Sequence, residues 1–143
     1  MSGIVVGVDG SPHSQNALDW ALAESRLRHA PLTVLAVAQA PASIWGITGA
    51  LPPTDETMQK VRHGVQEMID KSHARNGGQE VTVRIASGVP ADELIKASEG
   101  ADLVVVAARG VGGFARLTMG SVSNQVAHHA HCPVVVVPAG KAR

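Results

Sequence analysis

Short β-branched runs that alternate with stretches of helical periodicity restrict this chain to very few architectures. Residues 3–8 (GIVVGV), 32–38 (LTVLAVA), 103–107 (LVVVA) and 134–137 (VVVV) are nearly unbroken apolar segments of strand length, the pattern of strands buried on both faces. Val81, Val83 and Ile85 alternate with polar neighbours and predict one more strand between the second and the fourth. Between these runs the period changes. Ala17, Leu18, Ala21, Leu22 and Ser25 make one helical stripe, and Met58, Val61, Val65, Met68 and Ile69 make another. Ser11 is a good N-cap for the first helix, with Pro12 at its first position, where a missing N–H costs nothing. Asn76-Gly77-Gly78 stops the second helix. Gly88-Val89-Pro90 turns into a short helix through Leu94 and Ile95 that Gly100 ends, and a last helix is predicted to run to about His131. Residues 39–53, rich in alanine and proline with little periodicity, read as a loop.

Strands that alternate with helices predict an α/β fold with a parallel sheet covered on both faces. No Pro/Gly-rich linker and no internal repeat divides the chain, so residues 1–143 read as a single domain. In such sheets ligands sit beyond the carboxyl ends of the strands, where the strand order reverses. The unusual turns follow the first and fourth strands, which places those strands side by side. The expected fold is therefore an open, five-stranded, Rossmann-like parallel sheet of order 3-2-1-4-5.

Composition removes several function classes. The only aromatics are Phe114, Trp20 and Trp45, too few for a single-strand stacking surface. Twelve Lys and Arg balance 12 Asp and Glu, so no bulk positive field would hold DNA or an anionic membrane. No apolar run approaches the roughly 20 residues of a spanning helix. The opening MSGIVVGVDGS lacks the layout of a secretory signal, and a lone cysteine, Cys132, fits a reducing compartment. The expected location is the cytoplasm.

The most informative stretch is ARGVGGFARLTMGS (108–121). Gly110, Gly112 and Gly113 crowd a loop that reaches Gly120-Ser121 at the start of a helix. Glycines let backbone N–H groups turn towards an anion, and a helix N-terminus adds free donors and partial positive charge. Ser121 and Ser123 add hydroxyls. A long crossover loop with a serine cap is the plainer alternative. The stretch is not a P-loop, because no Gly-Lys-Ser/Thr follows, and a dinucleotide G-x-G-x-x-G would lie after the first strand.

With its flanks, this stretch resembles the ATP-binding branch of the universal stress protein family. That branch carries G-x2-G-x9-G-[ST], which here reads Ala107-x2-Gly110-x9-Gly120-Ser121, followed by VSNQVAHHAHCPVVVVP. The opening IVVGVDGSPHSQNALDWA and the middle GVPADELIKASEGADLVVV resemble the family as well. The resemblance implies that the chain binds ATP with Mg or Mn. Gly7 and Asp9 would line the pocket, with Asp9 near the ribose or the nucleotide-bound cation; its plainer role is to cap the first helix. Val37 would meet adenine through its backbone. Ala107 to Gly113 and Gly120 to Val122 would wrap ribose and phosphates, with Arg109 and Ser123 as further phosphate partners. One position departs from the pattern: Ala107 replaces the first motif glycine, and its methyl is tolerated if φ is negative. The family's dimers and the valines 134–137 together imply a homodimer through the last strand.

No catalytic constellation stands out, so slow ATP hydrolysis is the most that is expected. His128, His129, His131 and Cys132 lack the spacing of a zinc site, and no metal held by protein ligands alone is expected. Two other readings remain: a motif-degenerate stress protein working through protein contacts without ATP, and a nucleotide hydrolase or transferase on a related fold.

Overall fold

The computed structural model describes residues 3–38, 55–76, 80–108 and 121–138. The elements run β1 (Ile4–Val8), α1 (Pro12–Arg28), β2 (Leu32–Ala38), α2 (Asp55–Asn76), β3 (Thr82–Ser87), α3 (Pro90–Ser98), β4 (Leu103–Ala107), α4 (Ser121–His129) and β5 (Val134–Val137). All five strands pair in parallel in the order β3-β2-β1-β4-β5, as the sequence predicts. The order reverses beside β1, whose neighbours are β2 on one side and β4 on the other.

The two faces have separate cores. On one, Ile4, Val6, Val8, Leu32, Val34 and Val105 pack against Leu18 and Leu22 of α1 and Val65, Met68 and Ile69 of α2. On the other, Leu35, Val104 and Val106 meet Ala91 and Leu94 of α3 and Val126 of α4. This two-sided demand is why β4 is buried along almost its whole length and why its sequence shows no alternation. Leu18 and Leu22 are fully buried, and truncating either to alanine costs about 2–5 kcal/mol at such sites.

Local chemistry sets the helix ends. Ser11 caps α1 by accepting from the Ser14 N–H at 3.1 Å. His29, at φ 53°, closes α1 in the left-handed region. The last helix ends at His129, two residues before the sequence-based expectation. Ala130 N–H still bonds back to Val126, but the His131 N–H donates to Ser98 Oγ at 2.8 Å. Pro133 also disfavours helical backbone at Cys132. The loop expected over 39–53 lies outside the described residues. So do Gly77 and Gly78.

Polar contacts bind the helices to one another. Between α1 and α2, Gln15 Nε2 donates to the Met68 carbonyl at 3.0 Å and to Ser72 Oγ at 2.8 Å, while Ser72 Oγ donates to the Asp19 carboxylate. Ser72 is fully buried, so this network lets a polar residue sit in the helix interface without an unmet hydrogen bond. The sequence gives no sign of it.

Candidate functional site

The carboxyl ends of β1 and β4 lie together at the reversal point. After β1 the chain makes an Asx turn: Asp9 Oδ1 accepts from the Ser11 N–H at 2.9 Å. Gly10 takes φ +84°, a conformation that a side chain would strain. Ser14, which is buried, accepts from the Asp9 N–H at 3.2 Å and donates to the Ser11 carbonyl at 3.0 Å. Asp9 itself is exposed. The turn thus holds a carboxylate at the surface on a fixed backbone. Ser14 escaped the sequence reading, because a serine inside a helix does not announce a backbone partner five residues upstream.

After β4 the chain is tied on two sides. The Ala108 N–H donates to the Val137 carbonyl at 2.8 Å, and the Ala108 carbonyl accepts from Ser123 Oγ at 3.1 Å. Ser123 and Ala108 are both buried. The first turn of α4 is therefore anchored at the end of β4, with Ser121 exposed and Val122 half-buried.

Charge separates these two helix starts from the others. The first turns of α2 and α3 carry Asp55 and Glu56, and Asp92 and Glu93. The first turns of α1 and α4 carry no acidic residue. Acidic side chains there would offset the positive end of the helix dipole. At α1 the Asp9 carboxylate already accepts the N–H of the cap residue Ser11, whereas the first turn of α4 has no such carboxylate of its own.

Of the residues the sequence singled out, Gly7, Asp9, Val37, Ala107, Ser121, Val122 and Ser123 are described, and Arg109, Gly110, Gly112, Gly113 and Gly120 lie outside the described residues. Gly7 is close-packed: a Cβ there would stand 3.0 Å from both Leu94 methyls. Val37 pairs with Ala86 near the end of β2. Ala107 is the last residue of β4 and pairs with Val137. Its methyl packs against the core beneath α1 and α2, and among the described non-glycine residues only His29 has positive φ. Alanine is thus unstrained at the place of the motif glycine. The Ser123 hydroxyl, read from the sequence as a donor for the anion, spends its proton on Ala108.

The histidines and the cysteine do not converge. His128 Nδ1 lies 2.8 Å from the Asn124 carbonyl, and His131 Nε2 lies 3.9 Å from Glu99. Among the described residues no group of three His, Cys, Asp or Glu is placed to hold a metal ion. Cys132 packs against the core under α3 and α4. Burial pushes its thiol pKa up, and the charge of Asp102 adds to this against a backbone hydrogen bond at Val104. Among the described residues, no helix is long and apolar enough to cross a membrane.

A sequence model described as the universal stress protein family matches residues 1–138. Universal stress protein Rv2623 of Mycobacterium tuberculosis is 33% identical over 140 residues, covering 94% of this chain and 47% of that protein. A universal stress protein of Mycolicibacterium smegmatis is 34% identical over 139 residues, with 94% and 47% covered. The chain thus spans about half the length of the curated relatives it matches. Among solved structures, universal stress protein UspA from Lactobacillus plantarum superposes with a TM-score of 0.75 at 24% identity, covering 95% of this chain and 97% of that one. A universal stress protein in complex with cAMP superposes with a TM-score of 0.70 at 25% identity, covering 95% of each chain.

Proposed function

This chain belongs to the universal stress protein family, and on that premise we propose that it is an ATP-binding regulatory module of the stress response. The observation that carries the reading is the start of α4 at the strand-order reversal, whose first turn carries no acidic residue. A glycine-rich stretch that leads into such a helix start suits a polyphosphate. The cAMP complex of a relative supports an adenine nucleotide over other phosphates.

In this reading adenine lies along the end of β2 at Val37, and the ribose lies between Gly7, Asp9 and Ala107. The phosphates lie against Arg109, Gly110, Gly112 and Gly113 and against Gly120, Ser121 and Val122 at the start of α4. Asp9, exposed on its fixed turn, meets the Mg or Mn that accompanies the nucleotide. Occupancy biases a conformation or an assembly, and any turnover of the nucleotide is slow. We further propose that the protein works in the cytoplasm as a homodimer through β5, an edge strand in this sheet.

Denaturing extraction of the purified protein, followed by chromatography for released adenine nucleotide, tests the reading directly. Calorimetric titration with ATP and Mg²⁺ follows on the stripped protein. No released nucleotide together with no heat at millimolar ATP would overturn it.

A further inference from the structure

Ser123 sits in the first turn of α4 with 2% of its surface exposed, and its hydroxyl donates to the Ala108 carbonyl at 3.1 Å. A serine hydroxyl has one proton. With that proton committed to the carbonyl, the hydroxyl has none left to donate to a phosphate oxygen. Ala108 is 6% exposed, and its N–H is held by the Val137 carbonyl at 2.8 Å. Both backbone polar groups of this residue are therefore taken, one by the edge strand and the other by the helix. Ala108 and Ser121 are the described residues that bracket positions 109–120. The Ser123–Ala108 bond fixes the distance and angle between those two brackets.

We propose that Ser123 is a positioning residue that sets nucleotide affinity by clasping Ala108, and that it is not itself a phosphate ligand; this rests on the nucleotide-binding reading above. A site that holds its binding geometry only part of the time binds more weakly by that fraction. Without the hydroxyl, the buried Ala108 carbonyl loses its side-chain donor, and the end of β4 is released from the start of α4. The defect then precedes any contact with the ligand. It weakens every nucleotide that uses both brackets, whatever its phosphate count.

The test is calorimetric affinity for ATP and for AMP in the unmodified protein, Ser123→Ala, Ser123→Thr and Ser98→Ala. Ser98 is a second buried serine, bonded to Ile95 and His131 away from the site, and its variant controls for general destabilisation. Ser123→Ala should weaken ATP and AMP by the same factor, about fivefold for one hydrogen bond. Ser123→Thr should restore both, and Ser98→Ala should melt earlier with both affinities intact. Should the alanine variant not fold, Ser123→Cys, a weak donor of similar volume, carries the comparison. A loss for ATP that AMP does not share would mean direct phosphate contact and overturn the proposal, as would unchanged affinities in a folded Ser123→Ala. An unmodified protein that binds neither nucleotide would instead overturn the nucleotide reading itself, and this proposal with it.

Discussion

Gly7 and Leu94 are in contact across the sheet–helix boundary: a β-carbon on the glycine would lie 3.0 Å from both Leu94 methyls. Leu94 is buried on α3 and has little room to retreat. Gly7→Ala should therefore destabilise the protein by about 1–3 kcal/mol, the usual cost of overpacking a core. Leu94→Val in the same chain should recover part of that loss, a coupling that urea titration of the single and double variants would measure. Simple additivity would mean that the glycine serves some other purpose.

Ser121→Asp should separate stability from binding. A carboxylate in the first turn of α4 interacts favourably with the helix dipole, by about 0.3–1 kcal/mol. The free protein should melt at the same temperature or slightly higher. The same charge occupies the place proposed for phosphate, so ATP affinity should fall at least about tenfold. Thermal melts with and without ATP report both effects in one experiment.

Ala107→Gly should leave ATP affinity close to that of the unmodified protein, because the alanine backbone is already unstrained and its methyl faces the core. Stability should drop by about 0.5–1 kcal/mol from added backbone freedom, with a further loss from the missing methyl. A large gain in affinity would show that the methyl does obstruct the nucleotide.

The proposed dimer can be probed through the backbone. Pro133 and Val137 direct their carbonyls at β4, and successive residues of a strand alternate sides, so Val134 and Val136 present their N–H groups to the open edge. Val136→Pro removes one outward donor and spares the β4 ladder. Light scattering at high micromolar concentration should report a dimer for the unmodified protein and a monomer for this variant. Lysine at Val135 or Val137 is a poorer probe, since both pack against the core beneath α1 and α2.

Cys132 should alkylate more slowly than a free thiol at neutral pH, because its raised pKa lowers the thiolate fraction. The folded state holds this proton more tightly than the unfolded chain does. Its contribution to stability is intact below the ordinary thiol pKa and fades as pH rises through the folded value. Cys132→Ser should flatten that alkaline decline, which denaturant titration at several pH values would detect.

Strands β1, β2 and β4 were legible because they are packed from both faces, so their residues had to be apolar almost without interruption, and β3 because its exposed positions alternate with half-buried ones. The Ser11-Pro12 start of α1 was legible because capping is local chemistry. What escaped were contacts between distant residues. Ser98 takes the His131 N–H and shortens α4, Ser72 joins Gln15 to Asp19, and Leu94 explains Gly7. Ser123 was read by residue type as an anion donor, and only its burial beside Ala108 revealed where its proton goes. A hydroxyl has no periodicity, so nothing in its own neighbourhood announces a partner 15 residues away.

The placement of β1 between β2 and β4 has a consequence for how the protein is made. As the chain leaves the ribosome, β1 can pair with β2 early, but its other edge waits for β4, Ile4 meeting Leu103. Non-local parallel pairing of this kind is slow, and an unpaired strand edge is exposed to other chains in the meantime. The nascent protein therefore carries an open apolar edge until β4 has been translated, and a chaperone that binds extended segments should engage it there. The Asp9 turn acquires its neighbour only when α4 and β5 have emerged, so the proposed site cannot assemble before all five strands of this sheet are translated.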